Sequence, residues 1–290
     1  VYSIVIPAYN EEAVIGRCLQ SLIDGMQEGE LEIVVACNGC TDRTAELARG
    51  FGKAVKVVET SVASKHGGLN LGDGVATGFP RFYVDADVVL PLASVRRVAQ
   101  VLEEGPWLAA APRIQVDLSD RPWPVRAFYA VWLHVPYFRH GMIGSGVYAV
   151  SEQGRRRFGE FPGIIADDGY VRLVYAPEER TSVDAVSFII TPPRTLGGVI
   201  DIKTRSRVGT YELKRKFPEL WRHEKRDFGS TFREILRHPS VWPAFPVYLF
   251  VISMARWRAY RRLRAGDLDT WERDASSREG SGATGRECRR

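Results

Sequence analysis

Cysteine is scarce. The 290 residues hold only Cys18, Cys37, Cys40 and Cys288, too few for a disulfide-stapled fold. A zinc site built on Cys37 and Cys40 would need two further ligands at suitable spacing, and none is offered. The five histidines form no His-x-x-x-His pair. No segment reaches the roughly 20 apolar residues that a spanning helix requires. Val241 to Ala255 is almost wholly apolar but only 15 residues long, with Pro243 and Pro246 in its first half. No internal repeat is visible, and no recognised nucleic-acid-binding module accompanies the net charge of +5, so nucleic acid is not an expected partner. With few cysteines and no signal-peptide pattern, the expectation is a reducing, cytoplasmic location.

What is present is a repeated beat of apolar strand, polar loop and helix. Ile4-Val5-Ile6 is a short buried-strand run broken by Pro7, and the following helix should carry Ile15, Leu19 and Leu22. Ile33-Val34-Val35-Ala36 gives a second strand ending in Cys37-Asn38-Gly39-Cys40-Thr41-Asp42, with a helix from Thr44. Val55 to Val58 begins a third round, with a loop and helix around Ser64 to Asn70. Arg81-Phe82-Tyr83-Val84 begins a fourth. Such alternation predicts an α/β fold with a mostly parallel sheet and helices on both faces. Ligands of open α/β sheets bind beyond the carboxyl ends of the strands, where each of these polar loops lies.

The fourth strand delivers Asp85-Ala86-Asp87. Strand alternation would turn both carboxylates to one face, where they could share a hard divalent cation. The alternative is that Asp85 caps a turn and Asp87 caps the helix beginning near Pro91.

Taken in order, Pro7-Ala8-Tyr9-Asn10-Glu11-Glu12, Asn38-Gly39-Cys40-Thr41-Asp42, Lys65 with Asn70, and Val84-Asp85-Ala86-Asp87 resemble the family 2 glycosyltransferases of the GT-A fold. The resemblance covers about three quarters of the chain and is most specific up to Asp87. It implies a Rossmann-like, mixed sheet and an activated-sugar donor held by the first loops. Pro7, Ala8, Tyr9 and Glu11 would lie near base and ribose, and Asn38 and Asp42 in the second loop. Lys65 would face the diphosphate, and Asp85 and Ala86 would meet the nucleotide. Asp87, with Asp85, would hold Mg²⁺ or Mn²⁺. Many relatives carry Asp at the position of Asn38, and an amide both donates and accepts, so uracil does not follow. Relatives sometimes add a histidine to the metal, which leaves His134 and His140 open.

The second half should supply a base. Ile164-Ile165-Ala166 carries Asp167-Asp168 inward, and the family's paired acids at this point imply Asp168 as general base with Asp167 as the fallback. Crowded carboxylates raise each other's pKa, which suits proton abstraction from an alcohol. Asp167 could instead be a helix N-cap. Gly144-Ser145-Gly146 resembles the acceptor-side segment. Thr204-Arg205-Ser206-Arg207 resembles a basic loop over the donor diphosphate, with Arg205 and Arg207 as candidates. The Gln-x-x-Arg-Trp pattern of processive synthases is absent, which predicts one sugar per encounter. The implied reaction is an inverting single displacement on a glycan or lipid-linked acceptor, as in polysaccharide or glycolipid biosynthesis. Competing readings are a sugar-nucleotide nucleotidyltransferase, whose first loop should be glycine-rich, and a non-catalytic nucleotide-sugar binder or membrane scaffold.

Charge is unevenly spread. Residues 203–264 carry 16 Lys and Arg against 5 Asp and Glu, a net +11, and residues 265–290 a net −1, which leaves the first 202 residues at −5. The apolar run from Val241 is followed by Arg256, Arg258, Arg261, Arg262 and Arg264. Residues 241–264 should therefore either lie in a membrane interface, with the protein at the inner face of the cell membrane, or pack on the domain. The expected organisation is a donor half over 1–113, an acceptor half over 114–209, a helical basic appendage over 210–266 and a disordered tail over 267–290.

Overall fold

The computed structural model describes residues 1–135, 145–224 and 233–265. Gly144, His140, Cys288 and the tail expected to be disordered lie outside them. In chain order the elements are β1 (Tyr2–Ala8), α1 (Ile15–Ile23), β2 (Leu31–Asn38), α2 (Thr44–Arg49), β3 (Val55–Thr60), α3 (Lys65–Val75), β4 (Arg81–Val84) and α4 (Leu92–Glu104). Then come β5 (Ala109–Val116), α5 (Trp123–Trp132), β6 (Val147–Val150), α6 (Glu152–Arg155), α7 (Asp167–Val174), β7 (Arg180–Ile190), α8 (Leu196–Lys216) and α9 (Phe245–Ala265).

The strands form one mixed sheet in the order β3-β2-β1-β4-β6-β5-β7. β1, β2, β3 and β4 run parallel, as do β5 and β7, whereas β6 is antiparallel to both its neighbours. Pleating explains why the strands read as continuous apolar runs. Ile4, Ile6, Ile33, Val35, Phe82 and Val84 enter one core with α1 and α4, while Val5, Val34, Tyr83 and Tyr148 enter the other with Leu69 of α3. Both faces are therefore buried. α3 comes close enough to the sheet that a Cβ on Gly72 would stand 2.6 Å from Val5 Cγ1.

Strand order reverses between β1 and β4, the position where open α/β sheets form a crevice at their carboxyl ends. β6 inserts beside β4 with Val84 opposite Val147, which brings the segment before β6 onto the end of β4.

Two expectations are corrected here. Asp85 and Asp87 do not share a strand face. β4 stops at Val84 because β6 begins there: the Gly146 carbonyl accepts from Asp85 N at 2.8 Å, and the chain then turns, with Val88 N donating to the Asp85 carbonyl. Asp87 is not a helix cap either, since α4 has Pro91 at that position. The basic segment holding Arg205 and Arg207 is not a loop. It lies within the 21-residue α8, started by Thr195, whose hydroxyl accepts from Gly198 N. Val199, Ile200, Thr204, Val208 and Leu213 recur at helical spacing and are buried, and this outweighs the polar look of the stretch.

Candidate active site

The crevice beyond β1 and β4 is lined by Pro7, Lys65, Asp85, Gly146, Asp167 and Asp168. Three elements converge there. Asp85 directly follows β4, α3 starts at Lys65 with Ser64 as its N-cap, and α7 starts with Asp167 and Asp168.

Lys65 joins them. Its Nζ is 2.9 Å from Asp85 Oδ1 and 3.1 Å from Asp167 Oδ1. Burial alone would lower the ammonium's pKa, but Asp167, then Asp85 and Asp168, outweigh it and hold the lysine charged. Asp167 is buried, with its side chain 5 % exposed. Burial pushes its carboxyl up to about 6, the charges of Asp168 and Asp85 add to the rise, and Lys65 opposes it. Neither acid is the side-chain N-cap of α7, because that position belongs to Ala166.

Asp168 is only half-buried and is held by backbone. Its Oδ2 accepts from Ser145 N at 3.0 Å and its Oδ1 from Gly169 N at 2.7 Å. Ser145 has φ 60 and Gly146 φ 107, so the segment is wound into the left-handed region to reach both Asp85 and Asp168. A Cβ on Gly146 would meet Val88 Cγ2 at 2.9 Å, so only glycine fits this approach.

The first two loops are stitched to each other. Thr41 N donates to Asn10 Oδ1 at 2.7 Å and Glu11 N to Thr44 Oγ1 at 2.7 Å. Asp42 accepts from Thr44 N, from Thr44 Oγ1 and from Glu12 N. Burial would raise its pKa, but these bonds hold it below the usual range. Asp42 therefore fixes the loop. Pro7 and Ala8 end β1, Tyr9 follows, and the Ala8 carbonyl accepts from Cys40 Sγ at 3.3 Å. Glu11 and Asn38 are buried. Asn38 Oδ1 has no hydrogen-bond partner and lies under Gly68, where a Cβ would come within 2.8 Å. Cys18, Cys37 and Cys40 are free thiols.

Ala86 packs into the core. Asp87 is half-buried in the turn, with its carbonyl accepting from Arg17 Nη2. Among the described residues no three His, Cys, Asp or Glu side chains gather as a ready cage for a metal ion, and His134 packs against His238 with tilted rings, away from the pocket. One carboxylate at a crevice still suits Mg²⁺ or Mn²⁺, which complete their shell with substrate phosphates and water. Of the two, Asp85 lines the crevice and already holds Lys65, whereas Asp87 lies two residues further along the turn and is not among the lining residues. Arg205 and Arg207 do not line the crevice, and Arg207 acts electrostatically on Tyr248 of α9 instead.

Sequence reading missed the support beneath the site. Asp73 on α3 binds Arg81 Nη1 at 2.7 Å, Tyr83 OH at 2.5 Å and Arg155 Nη2 at 2.6 Å. Tyr83 stacks on Tyr148 with ring centroids 5.0 Å apart, and both rings line the crevice. Arg81 and Tyr83 at alternate positions of a buried strand were the available signal, since polar groups so placed require a partner.

Comparison with known proteins gives a consistent result. The family model described as Glycosyl transferase family 2 matches residues 3–156. An uncharacterized glycosyltransferase of Bacillus subtilis, EpsJ, is 28% identical over 105 residues, covering 35% of this chain and 30% of that protein. The 4,4'-diaponeurosporenoate glycosyltransferase of Staphylococcus aureus is 43% identical over 53 residues, 18% of this chain and 14% of its own. The chain thus spans under a third of either relative.

Among solved structures, the mannosyltransferase PcManGT of Pyrobaculum calidifontis, in complex with GDP-Man and Mn²⁺, superposes with TM-score 0.59 at 20% identity, covering 91% of this chain and 79% of that one. The glucosyl-3-phosphoglycerate synthase of Mycobacterium tuberculosis, in complex with Mn²⁺, UDP and glucosyl-3-phosphoglycerate, gives TM-score 0.52 at 20% identity over 79% of this chain and 82% of that one. At such identities the likeness speaks for the fold, which is the GT-A arrangement expected from the four loops.

Proposed function

The chain belongs to glycosyl transferase family 2, and on that premise we propose that it moves a sugar from a nucleoside-diphosphate sugar to an acceptor hydroxyl by a single inverting displacement. One observation carries this: the Lys65 ammonium is held between Asp85 and Asp167 at the strand ends, with the backbone-oriented carboxylate of Asp168 beside it.

The donor's nucleoside lies along the loops from Pro7 to Glu11 and around Asn38, and its diphosphate is directed toward Lys65. Asp87, with Asp85, would hold a divalent cation, which would supply Lewis-acid stabilisation of the diphosphate charge. Asp168 takes the acceptor's proton as the oxygen attacks the anomeric carbon. Its two backbone N–H bonds fix the carboxylate's direction, and its partial exposure leaves it open to an acceptor. Asp167 is buried and tied to Lys65, so it positions the lysine, and it becomes the base only if Asp168 is not. Arg205 and Arg207 have no part in diphosphate binding in this scheme. No covalent sugar intermediate forms.

The acceptor is a glycan or a lipid-linked sugar met at the cytoplasmic face of a membrane. The +11 charge of residues 203–264 supports an anionic acceptor such as a polyprenyl diphosphate sugar.

Thermal shift against nucleoside diphosphates and their sugars, with and without Mn²⁺, tests the donor site. A saturating ligand should stabilise the fold by roughly 3 kcal/mol at a hundred times its Kd, with one base preferred and the shift dependent on the metal. A flat response across the panel would remove the donor assignment. Turnover retained in Asp168→Asn would remove the base, and an unchanged function in that variant would favour a non-catalytic binder.

A further inference from the structure

α9 has two unlike faces. Val251, Ala255 and Ala259 recur every fourth residue and are buried where the helix lies on α8 and α5. Tyr248 stacks on Phe128 at 5.6 Å, and Arg258 Nη1 meets Asp201 Oδ1 of α8 at 2.5 Å. The helix is thus fixed to the domain along one side.

The other side is apolar, aromatic and cationic. Leu249, Phe250, Trp257 and Tyr260 are 47%, 51%, 53% and 51% exposed. Arg256, Arg261 and Arg264 are exposed as well. At 100° per residue all seven fall within an arc of about 140°. The Arg261 guanidinium lies 5.0 Å from the Trp257 ring centroid and that of Arg264 4.7 Å from Tyr260. No acidic residue occurs between Phe245 and Ala265.

We infer that this outer face of α9 is a docking surface for an anionic lipid layer, on which the helix lies flat. Leu249 and Phe250 enter the boundary between headgroups and acyl chains. Trp257 and Tyr260 sit at headgroup depth, and Arg256, Arg261 and Arg264 meet lipid phosphates. A protein partner of ordinary composition fits this face less well, because exposed large apolar side chains alternate with uncompensated arginines along one helix. Crossing is not an option for α9: no described helix is long and apolar enough to span a membrane, and its inner face is already covered by the domain. Of the two sequence expectations for residues 241–264, packing on the domain is met by the inner face of α9, and the proposal gives membrane contact to the outer face. Because the helix is held by α8 and α5 before it meets lipid, docking requires no coil-to-helix folding.

The inference depends on α9 and not on the transfer reaction, so its test omits turnover. The full chain is sedimented with vesicles of phosphatidylcholine alone or mixed with phosphatidylglycerol. Binding should need the anionic lipid and weaken with salt. Each arginine near such a surface contributes about fivefold, so R261Q/R264Q should lower partitioning roughly 25-fold. F250S/W257S should abolish it. R156Q, which removes an exposed arginine just after α6, should leave it unchanged. These side chains are exposed, so an unaltered Tm will show that each variant is folded. Equal binding by wild type and F250S/W257S, no binding to either vesicle, or a Trp257-dependent dimer in lipid-free sedimentation equilibrium would each overturn the inference.

Discussion

Lys65 Nζ and Asp167 Oδ1 are 3.1 Å apart, a contact that ties the start of α3 to the start of α7 across the crevice. Lys65→Met leaves a buried carboxylate without its cation. Removing one partner of a fully buried pair costs about 3–5 kcal/mol. Lys65 keeps 29% of its side-chain exposure, so the expected loss is roughly 2 kcal/mol near pH 8. At pH 5 the loss should be smaller, since Asp167, already pushed up to about 6, rises further in the variant and takes up a proton instead of remaining charged. Urea unfolding at the two pH values checks this; an equal loss at both would mean that Asp167 does not titrate in this range.

The two acids should separate cleanly. Asp168→Asn keeps one acceptor oxygen and gives up one of two backbone N–H bonds, a stability change of about 1 kcal/mol, yet it should lower turnover roughly 10²- to 10⁴-fold with nucleotide binding retained. Asp167→Asn should instead change the pH dependence of stability. A carboxyl raised in the fold from 3.8 to about 6 contributes stability that is complete below 3.8 and is lost as pH rises through 6. Asp42 and Asp73 are shifted down and act oppositely, so the informative quantity is the Tm difference between wild type and variant. That difference should change sharply between pH 4 and 6 and stay flat above.

The loops of the crevice were legible because each follows a local apolar run, but strand alternation was carried past the end of β4 at Val84 to Asp87. Lys65 and the Asp167-Asp168 pair could be named from their types and order. Their meeting could not, since it depends on β6 entering the sheet antiparallel beside β4 and drawing Ser145 and Gly146 over Asp85, a non-local pairing that no local pattern encodes. The α8 segment was misread as a loop for a different cause. Its buried positions are spread among Lys and Arg on every side, so the apolar stripe is weak, and its helical state is fixed by tertiary contacts with α5, α7 and α9.

Tyr148 offers a test of the crevice floor. Its hydroxyl is buried without a hydrogen-bond partner. Burial raises its pKa, and Asp167, Tyr83 and Asp168 add to the rise. Replacing an unsatisfied buried hydroxyl by hydrogen releases a desolvation cost of about 1 kcal/mol or more. Tyr148→Phe should therefore leave stability unchanged or raise it, with the stacking on Tyr83 preserved. A loss above about 1 kcal/mol in chemical unfolding would show that the hydroxyl has an acceptor in solution, most simply a bound water.

Lys203 on α8 carries the remaining prediction. Its Nζ is 4.1 Å from the Trp132 ring centroid, with Phe128 at 5.6 Å and Tyr129 at 5.8 Å. Burial pulls the ammonium down to about 7, against the attraction of the Trp132 face for the charged form. The unfolded chain then holds a proton between pH 7 and 10.5 that the folded chain has released, so stability rises with pH through that window and is lowest below it. Lys203→Met fills the same space with an apolar side chain of similar length. Its Tm should exceed that of wild type at pH 6.5, and the gap should narrow steadily toward pH 9. A gap that does not vary with pH, or a variant less stable at pH 6.5, would mean that Lys203 stays protonated and that its contact with Trp132 outweighs the cost of burial.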